Sequence, residues 1–71
     1  MITKEHLDNW FTYHRPGDKQ ADDYVAIREA AKAFALVVIE RTPPSADQSD
    51  AIRKIREAVM TANAAIACGG K

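Results

Sequence analysis

Two apolar stripes separated by a pair of prolines constrain the fold of this chain more than any other feature. The first stripe has spacings of 3, 4, 3 and 4 residues and consists of Tyr24, Ile27, Ala31, Phe34 and Val38. The second has the same spacings and consists of Ile52, Ile55, Val59, Ala62 and Ile66. Such spacing places apolar side chains along one face of an α-helix. Because Pro43 and Pro44 interrupt helices, the pattern predicts two long helices, over 18–41 and 46–67, joined by a turn at 42–45.

Signals at the predicted helix ends agree with these boundaries. The Pro16-Gly17 pair breaks the chain, and Asp18 after it is expected to cap the first long helix. Ser45 is expected to cap the second long helix, with the Gln48 side chain reaching back to complete a capping box. The Gly69-Gly70 pair is typical of a helix C-terminus.

A short helix is expected before the first long one, over residues 2–10, because Ile2, Leu7 and Trp10 can share one face. A helix of this length is unstable alone, so it must dock on the rest of the chain. Residues 11–17 then form a loop. The sequence therefore predicts one all-α domain, with a short N-terminal helix followed by an antiparallel two-helix hairpin.

The small size of the chain predicts that it forms a homo-oligomer. A chain of 71 residues buries little surface, and small scaffolds commonly need disulfides, a metal or oligomerisation. Cys68 is the only cysteine, and it does not combine with His6 and His14 in a zinc-site spacing. We therefore expect no metal and no cofactor. Small apolar residues flank both stripes and would be covered by other subunits: Ala30, Ala33, Ala35, Leu36, Val37, Ala51, Ala58, Ala64 and Ala65.

Charge and hydropathy exclude several classes of partner. The chain has 10 Lys and Arg against 10 Asp and Glu, whereas proteins that bind duplex DNA usually have a basic excess. A small anion held by a few cations remains compatible with this balance. No apolar run is long enough to cross a membrane, and the N-terminus has no signal-peptide apolar region. Together with the single thiol, this predicts a cytoplasmic protein.

Catalytic constellations are missing from the sequence. There is no Gly-rich phosphate loop, no Ser-x-x-Lys and no His-x-x-x-His motif. The acidic residues fall mostly at helix starts and on outer faces, where solvation and the helix dipole explain them. We therefore predict that the protein is not an enzyme.

The loop sequence FTYHRPG, residues 11–17, places several large side chains at a chain break. Phe11 and Trp10 are expected in the core, whereas Tyr13 is positioned to present its ring to a ligand. Pro16 stiffens the loop and so lowers the ordering cost of binding. His14 has two interpretations that the sequence leaves open: a hydrogen bond to a ligand, or a cap on the following helix.

Two cations on the first long helix also have two interpretations. Arg28 and Lys32 lie one turn apart, where they either cover the apolar seam or clamp an anion. Periodicity alone favours the seam. Met60 is similarly ambiguous between a core contact and the lining of a soft pocket.

The order of residues resembles a known family. The elements that carry the resemblance are Tyr13-His14-x-Pro16, Gln20, Tyr24-x-x-Ile27-Arg28, Ile52-x-Lys54-Ile55, Glu57-Ala58-Val59-Met60 and Ala62-Asn63-Ala64-Ala65-Ile66-Ala67. In this order they resemble the anti-CBASS family of cyclic-oligonucleotide sponges from phages. The resemblance covers residues 11–67, nearly the whole chain.

This resemblance implies a function and a set of binding residues. Family members are non-enzymatic helical hexamers that bind the cyclic nucleotide messengers of bacterial CBASS immunity in the infected host cell. The resemblance implies Tyr13 and Arg28 as dinucleotide-binding residues, and we predict that His14, Pro16 and Lys32 contribute beside them. The implied ligands are cyclic dinucleotides such as cyclic GMP-AMP, and for some members cyclic trinucleotides in a separate pocket, to which Asn63 and Met60 are assigned here.

Two departures from the family pattern weaken the trinucleotide assignment. Thr61 stands where the family often has tryptophan, and Cys68 stands where it often has arginine. The expectation is therefore a hexameric sponge for cyclic dinucleotides. The alternative is a hairpin oligomer that binds another protein and no nucleotide.

Overall fold

The structure is a computed structural model that describes all 71 residues and contains three α-helices and no strand. Helix α1 spans Lys4–Trp10, α2 spans Asp18–Arg41 and α3 spans Ala46–Ala67. Contacts at both ends show that α2 and α3 run antiparallel. At one end Gln20 Nε2 donates to the Ile66 carbonyl at 3.3 Å, and at the other Gln48 Nε2 donates to the Thr42 carbonyl at 3.1 Å. The all-α hairpin is thereby confirmed, and no helix has the length and apolar composition needed to cross a membrane.

Of the capping box predicted at the start of α3, the Ser45 cap is present but the return bond from the Gln48 side chain is not. Ser45 Oγ accepts from the Gln48 backbone N–H at 3.1 Å, so Ser45 caps α3 as expected. The Gln48 side chain does not return to Ser45. It donates instead to the carbonyl and hydroxyl of Thr42, at 3.1 and 3.2 Å, because the sharp turn brings the open carbonyls of α2 within its reach. This glutamine therefore ties the two long helices together.

The start of α2 also differs from the prediction. Gly17, not Asp18, is the N-cap, and Asp18 is the first helical residue, where its negative charge favours the helix dipole. The Gln20 side chain accepts from the Gly17 N–H at 3.0 Å. The Gln20 side-chain oxygen thus bonds to the start of α2, and its amide nitrogen bonds to the Ile66 carbonyl of α3. Gln20 therefore links the two long helices at the open end of the hairpin.

Removing the Ser45 cap should destabilise the hairpin measurably. Ser45→Ala deletes one side-chain acceptor at an N-cap, which typically costs about 1 kcal/mol and lowers Tm by about 4–8 °C in a domain of this size. The matched control is Ser49→Ala, one turn further on, because the Ser49 side chain makes no hydrogen bond and alanine favours helix. Both variants should be melted at the same protein concentration. Equal Tm values would show that the cap contributes nothing.

The predicted apolar stripes form the seam of the hairpin, but the seam is not a closed core. Every member of the α3 stripe is half-buried, as are four of the five α2 members, and not one residue of the chain is fully buried. Phe34 is the exception within the stripes, because 59% of its surface is exposed. The molecule measures 44 × 30 × 15 Å, and its short dimension is little more than the diameter of one helix. The two long helices therefore form a single layer, and no second layer covers the seam between them.

The expected burial of two N-terminal aromatics is wrong for the isolated protomer. Phe11 is 83% exposed and Trp10 is 43% exposed. Trp10 stacks on His6 of its own helix, with ring centroids 5.3 Å apart and planes 9° from parallel. A one-layer protomer has no interior to receive these rings. The assumption that Phe11 points inward is thus corrected.

Candidate functional site

The C-terminal end of α3 is shaped by two glycines in the left-handed region. Gly69 and Gly70 have φ values of 66° and 76°. The Gly70 N–H donates to Ala65 O at 2.8 Å, and the Gly69 N–H donates to Ile66 O at 3.2 Å. These two bonds form a Schellman motif, which confirms that the glycine pair ends the helix. The motif leaves later carbonyls of the chain free to accept other donors.

Helix α1 docks on those carbonyls through polar side chains. Asn9 Nδ2 donates to the Cys68 carbonyl at 3.2 Å, and Trp10 Nε1 donates to the Lys71 carbonyl at 3.0 Å. Thr3 starts the helix, since its hydroxyl accepts from the His6 N–H at 3.2 Å while His6 Nδ1 accepts from the Thr3 N–H at 3.0 Å. The short helix is thus capped at its start and held against the end of α3 by its last two residues, and it sets where the 11–17 loop begins.

Tyr13 projects from a tethered loop. On one side of it, the Thr12 hydroxyl donates to the Asp8 carbonyl, and on the other, His14 Nε2 lies 2.6 Å from the Asn9 carbonyl. Because a carbonyl only accepts, His14 Nε2 carries the proton. The Tyr13 ring between these anchors is 83% exposed. A rigid backbone therefore presents a free aromatic ring, which favours contact with another molecule.

The position of His14 corrects one of its two interpretations. The ring closes the end of α1, before the loop, and does not cap α2, at whose start the Gly17 N–H donates to Gln20 Oε1. His14 also lines an open polar groove of about 740 Å³ together with His6, Gln20 and Cys68. No group of three or more His, Cys, Asp or Glu side chains in the chain is arranged to hold a metal ion.

One face of the hairpin carries a cationic groove of about 350 Å³. Arg28 and Lys32 of α2 line it on one side, and Arg56 and Met60 of α3 line it on the other. Its remaining lining is apolar and consists of Ala31, Ala35, Ile52, Ile55 and Val59. No acidic residue lines this groove. It combines positive rims with an apolar floor, and this composition suits an anion that also carries an apolar or aromatic part.

The cations of this groove have no ion-pair partners. The only salt bridge in the chain joins Lys54 Nζ to Asp50 Oδ2, at 2.6 Å, and neither residue lines the cationic groove. Arg28 and Lys32 stand four residues apart on one helix, a spacing at which like charges repel by about 0.2–0.5 kcal/mol. No salt bridge within the protomer offsets this repulsion. A bound anion would remove the repulsion.

The other face of the hairpin is apolar. A groove of about 600 Å³ runs along it, and ten of its eleven lining residues are hydrophobic, Phe34 among them. Lys54 is the exception, and its charge is paired with Asp50. The hydrogen bond and charge of Lys54 lower the pKa of Asp50, and Asp50 raises the pKa of Lys54 by the same contact. The pair is lost only in acid or strong base, so its small contribution is constant near neutral pH.

Comparison with family models identifies the chain. The model described as Acb2/Tad1, hairpin domain, matches residues 3–67, which include all three helices and the loop. The chain belongs to the Acb2/Tad1 family. This is the family of anti-CBASS cyclic-oligonucleotide sponges, so the resemblance seen in the sequence is confirmed. No curated protein and no solved structure matches the chain.

Within this Acb2/Tad1 chain, the residues singled out from the sequence fall in four places, and the polar groove holds His14. Arg28, Lys32 and Met60 come together in the cationic groove. The loop residues Tyr13 and Pro16 line none of the grooves of the protomer. Asn63 is separate from Met60, and its side-chain oxygen is buried without a hydrogen-bond partner.

Sequence reasoning missed one residue of the Acb2/Tad1 groove. Arg56 stands one turn before Met60, so the helical period already placed both on one face of α3. The helical period does not determine how α3 is rotated relative to α2. That rotation decides whether Arg56 and Arg28 share a groove or lie on opposite faces.

Proposed function

We propose that this Acb2/Tad1 protein is a sponge that binds cyclic dinucleotides stoichiometrically and performs no chemistry on them. The observation that carries the proposal is the cationic groove, in which Arg28 and Lys32 stand without acidic partners over an apolar floor. Sequestration depends on mass action, so affinity and copy number suffice and no catalytic group is required. The proposed site of action is the cytoplasm of an infected bacterial cell, where CBASS messengers are made.

Two copies of the chain would be needed to complete the ligand site. Tyr13 and Arg28 do not line a common groove in one protomer. A two-fold interface would supply each residue twice and would match a ligand with two bases and two phosphates, such as cyclic GMP-AMP. In that arrangement Tyr13 rings stack on the bases and Arg28 guanidinium groups bind the phosphates through charge-assisted hydrogen bonds. His14 and Pro16 hold the Tyr13 loop, and Lys32 adds positive charge.

The surface area of the protomer supports assembly. A folded monomer of this mass typically exposes about 4,400 Å², whereas this chain exposes 5973 Å². Its radius of gyration is 15.2 Å, against about 11 Å for a compact domain of the same length. The excess, about 1,600 Å² per chain, is roughly twice the area that one partner buries in a standard interface, so it is enough for more than one interface per chain. The apolar groove containing Phe34 is the face best suited to a second copy, and a closed hexamer is the assembly proposed.

A titration tests the proposed function directly. Calorimetry with a panel of cyclic di- and trinucleotides should give saturable binding of at least one purine cyclic dinucleotide. After incubation, denaturing the protein should release that ligand intact. Release of a hydrolysed product would identify an enzyme. Absence of heat and of any Tm shift with every ligand would favour the alternative of a protein-binding hairpin oligomer.

Arg28→Ala should weaken cyclic dinucleotide binding by about 100-fold or more while the oligomer remains intact. A hydrogen bond to a charged group contributes about 1.5–3 kcal/mol, and symmetry would remove it twice. Arg41→Ala is the control, because Arg41 is a cation of the same helix that lines no groove. Isothermal calorimetry checks both variants. Equal affinity in the two would remove Arg28 from the site.

The side-chain oxygen of Asn63 favours a second class of ligand, the cyclic trinucleotides. The buried, unpartnered oxygen of Asn63 is an acceptor that lacks a donor in the protomer, and the amino group of a nucleobase is one donor that would satisfy it. We therefore propose Asn63 for a cyclic trinucleotide site. If that site is separate from the cationic groove, a cyclic trinucleotide should still bind after saturation with a cyclic dinucleotide.

A further inference from the structure

We propose that Arg56 is a third anion-binding residue of the cationic groove, and that it holds the ligand from α3 while Arg28 and Lys32 hold it from α2. The inference rests on the proposed function, because it concerns the same ligand. It adds a residue that neither the helical period nor the family pattern had singled out. It also makes the site depend on both long helices of one protomer.

The geometry places Arg56 opposite the other two cations. The groove runs along the seam, with Arg28 and Lys32 on the α2 side and Arg56 with Met60 on the α3 side. Seam residues such as Ala31, Ile55 and Val59 lie between them. An anion seated over that floor is therefore reached by positive side chains from two directions. Ala31 and Ala35 have small side chains, so the groove stays open on its α2 side.

The charge environment of Arg56 argues against a purely structural role. Arg56 makes no salt bridge, and the residues one turn away on α3 include Arg53 but no acid. Two arginines three residues apart repel each other on a helix. Arg56 lies beside two further cations across the groove and has no acid of its own chain at salt-bridge distance, so an anion supplied by another molecule would stabilise it.

The dimensions of the groove limit what it holds. A volume of about 350 Å³ is at the low end for small-molecule sites. The groove therefore accommodates a phosphate and its adjoining nucleoside, and the rest of the ring projects towards a neighbouring subunit. Arginine suits this task because its planar fork binds two oxygens of one phosphate, which a lysine ammonium does not do.

A comparison of two arginines on the same helix tests the inference. Arg56→Ala is expected to lower affinity for the best-binding cyclic dinucleotide about tenfold, and to make the remaining affinity less sensitive to added salt. Arg56→Lys should lose about threefold, because charge is retained and the fork is lost. Arg53→Ala, which removes a cation that lines no groove, should bind within twofold of the parent. Light scattering on each variant checks that the assembly is unchanged.

The outcomes separate this inference from the proposed function. If the parent binds and Arg28→Ala weakens binding, but Arg56→Ala behaves like Arg53→Ala, the proposed function survives and the role of Arg56 is overturned. If Arg56→Ala loses the oligomer, Arg56→Gln replaces it as the test, because glutamine keeps a long polar side chain. Parent-like affinity of Arg56→Gln in an intact oligomer also overturns the role of Arg56. If the parent binds no cyclic nucleotide, the proposed function itself has failed.

Discussion

Tyr13→Ala is expected to weaken cyclic dinucleotide binding about 100-fold or more and to leave the oligomer intact. Stacking on a base contributes about 1–3 kcal/mol, and a two-fold site would lose two such contacts. The Tyr13 ring is 83% exposed, so its removal should change the fold of the protomer little. Calorimetry on the parent and the variant measures the change in Kd, and sedimentation measures the assembly.

The loop itself provides the matched control for Tyr13. Phe11 is an aromatic residue two positions earlier with the same exposed fraction, 83%. Phe11→Ala should therefore reproduce any general effect of removing an exposed ring, without loss of stacking on the ligand. Tyr13→Phe keeps the ring and should stay within about threefold of the parent, since only a hydroxyl is lost. If Phe11→Ala and Tyr13→Ala lose affinity equally, the specific assignment of Tyr13 is wrong.

Phe34→Asp is expected to dissociate the oligomer and to remove most of its helical structure at micromolar concentration. The substitution would place a carboxylate in the apolar groove that we assign to a second copy, where an unpaired buried charge costs about 3 kcal/mol or more. More than half of the Phe34 surface, 59%, is exposed in the protomer, so most of the effect would act through assembly. Circular dichroism and sedimentation, each over a range of concentrations, measure the loss.

A conservative change at the same position separates charge from shape. Phe34→Leu keeps the groove apolar and should preserve the oligomer with a modest fall in Tm. The parent and Phe34→Leu should both melt at temperatures that rise with concentration, as assembly-linked folding requires. A parent-like oligomer in Phe34→Asp would mean that copies meet through a different face of the hairpin.

The secondary structure of this chain was predictable because its signals are local. Helix period, a proline pair and a capping serine act over a few residues, and each has its expected effect in the structure. Two of the departures have a common cause, which is competition between nearby hydrogen-bond partners. Gln48 prefers the carbonyls of Thr42 to the cap of its own helix, and His14 prefers the end of α1 to the start of α2.

The candidate site was less predictable because it depends on relations between elements. Nothing in a helical period fixes the angle at which two helices face each other, so the meeting of Arg28 with Arg56 appears only in three dimensions. Burial was misjudged for a related reason. Chemical type alone predicts that Phe11 and Trp10 are buried, but a one-layer protomer lacks the volume to enclose them.

The docking of α1 has a consequence for how this protein can evolve. Asn9, Trp10 and Gln20 all donate to main-chain oxygens at the end of α3, those of Cys68, Lys71 and Ile66. A carbonyl is the same whatever side chain it carries, so position 71 can accept new side chains without releasing α1, whereas at position 68 the thiol also donates to the Asn9 carbonyl at 3.9 Å. Selection could thus retune one end of the hairpin for a different messenger while the three donors, and the loop they support, stay unchanged.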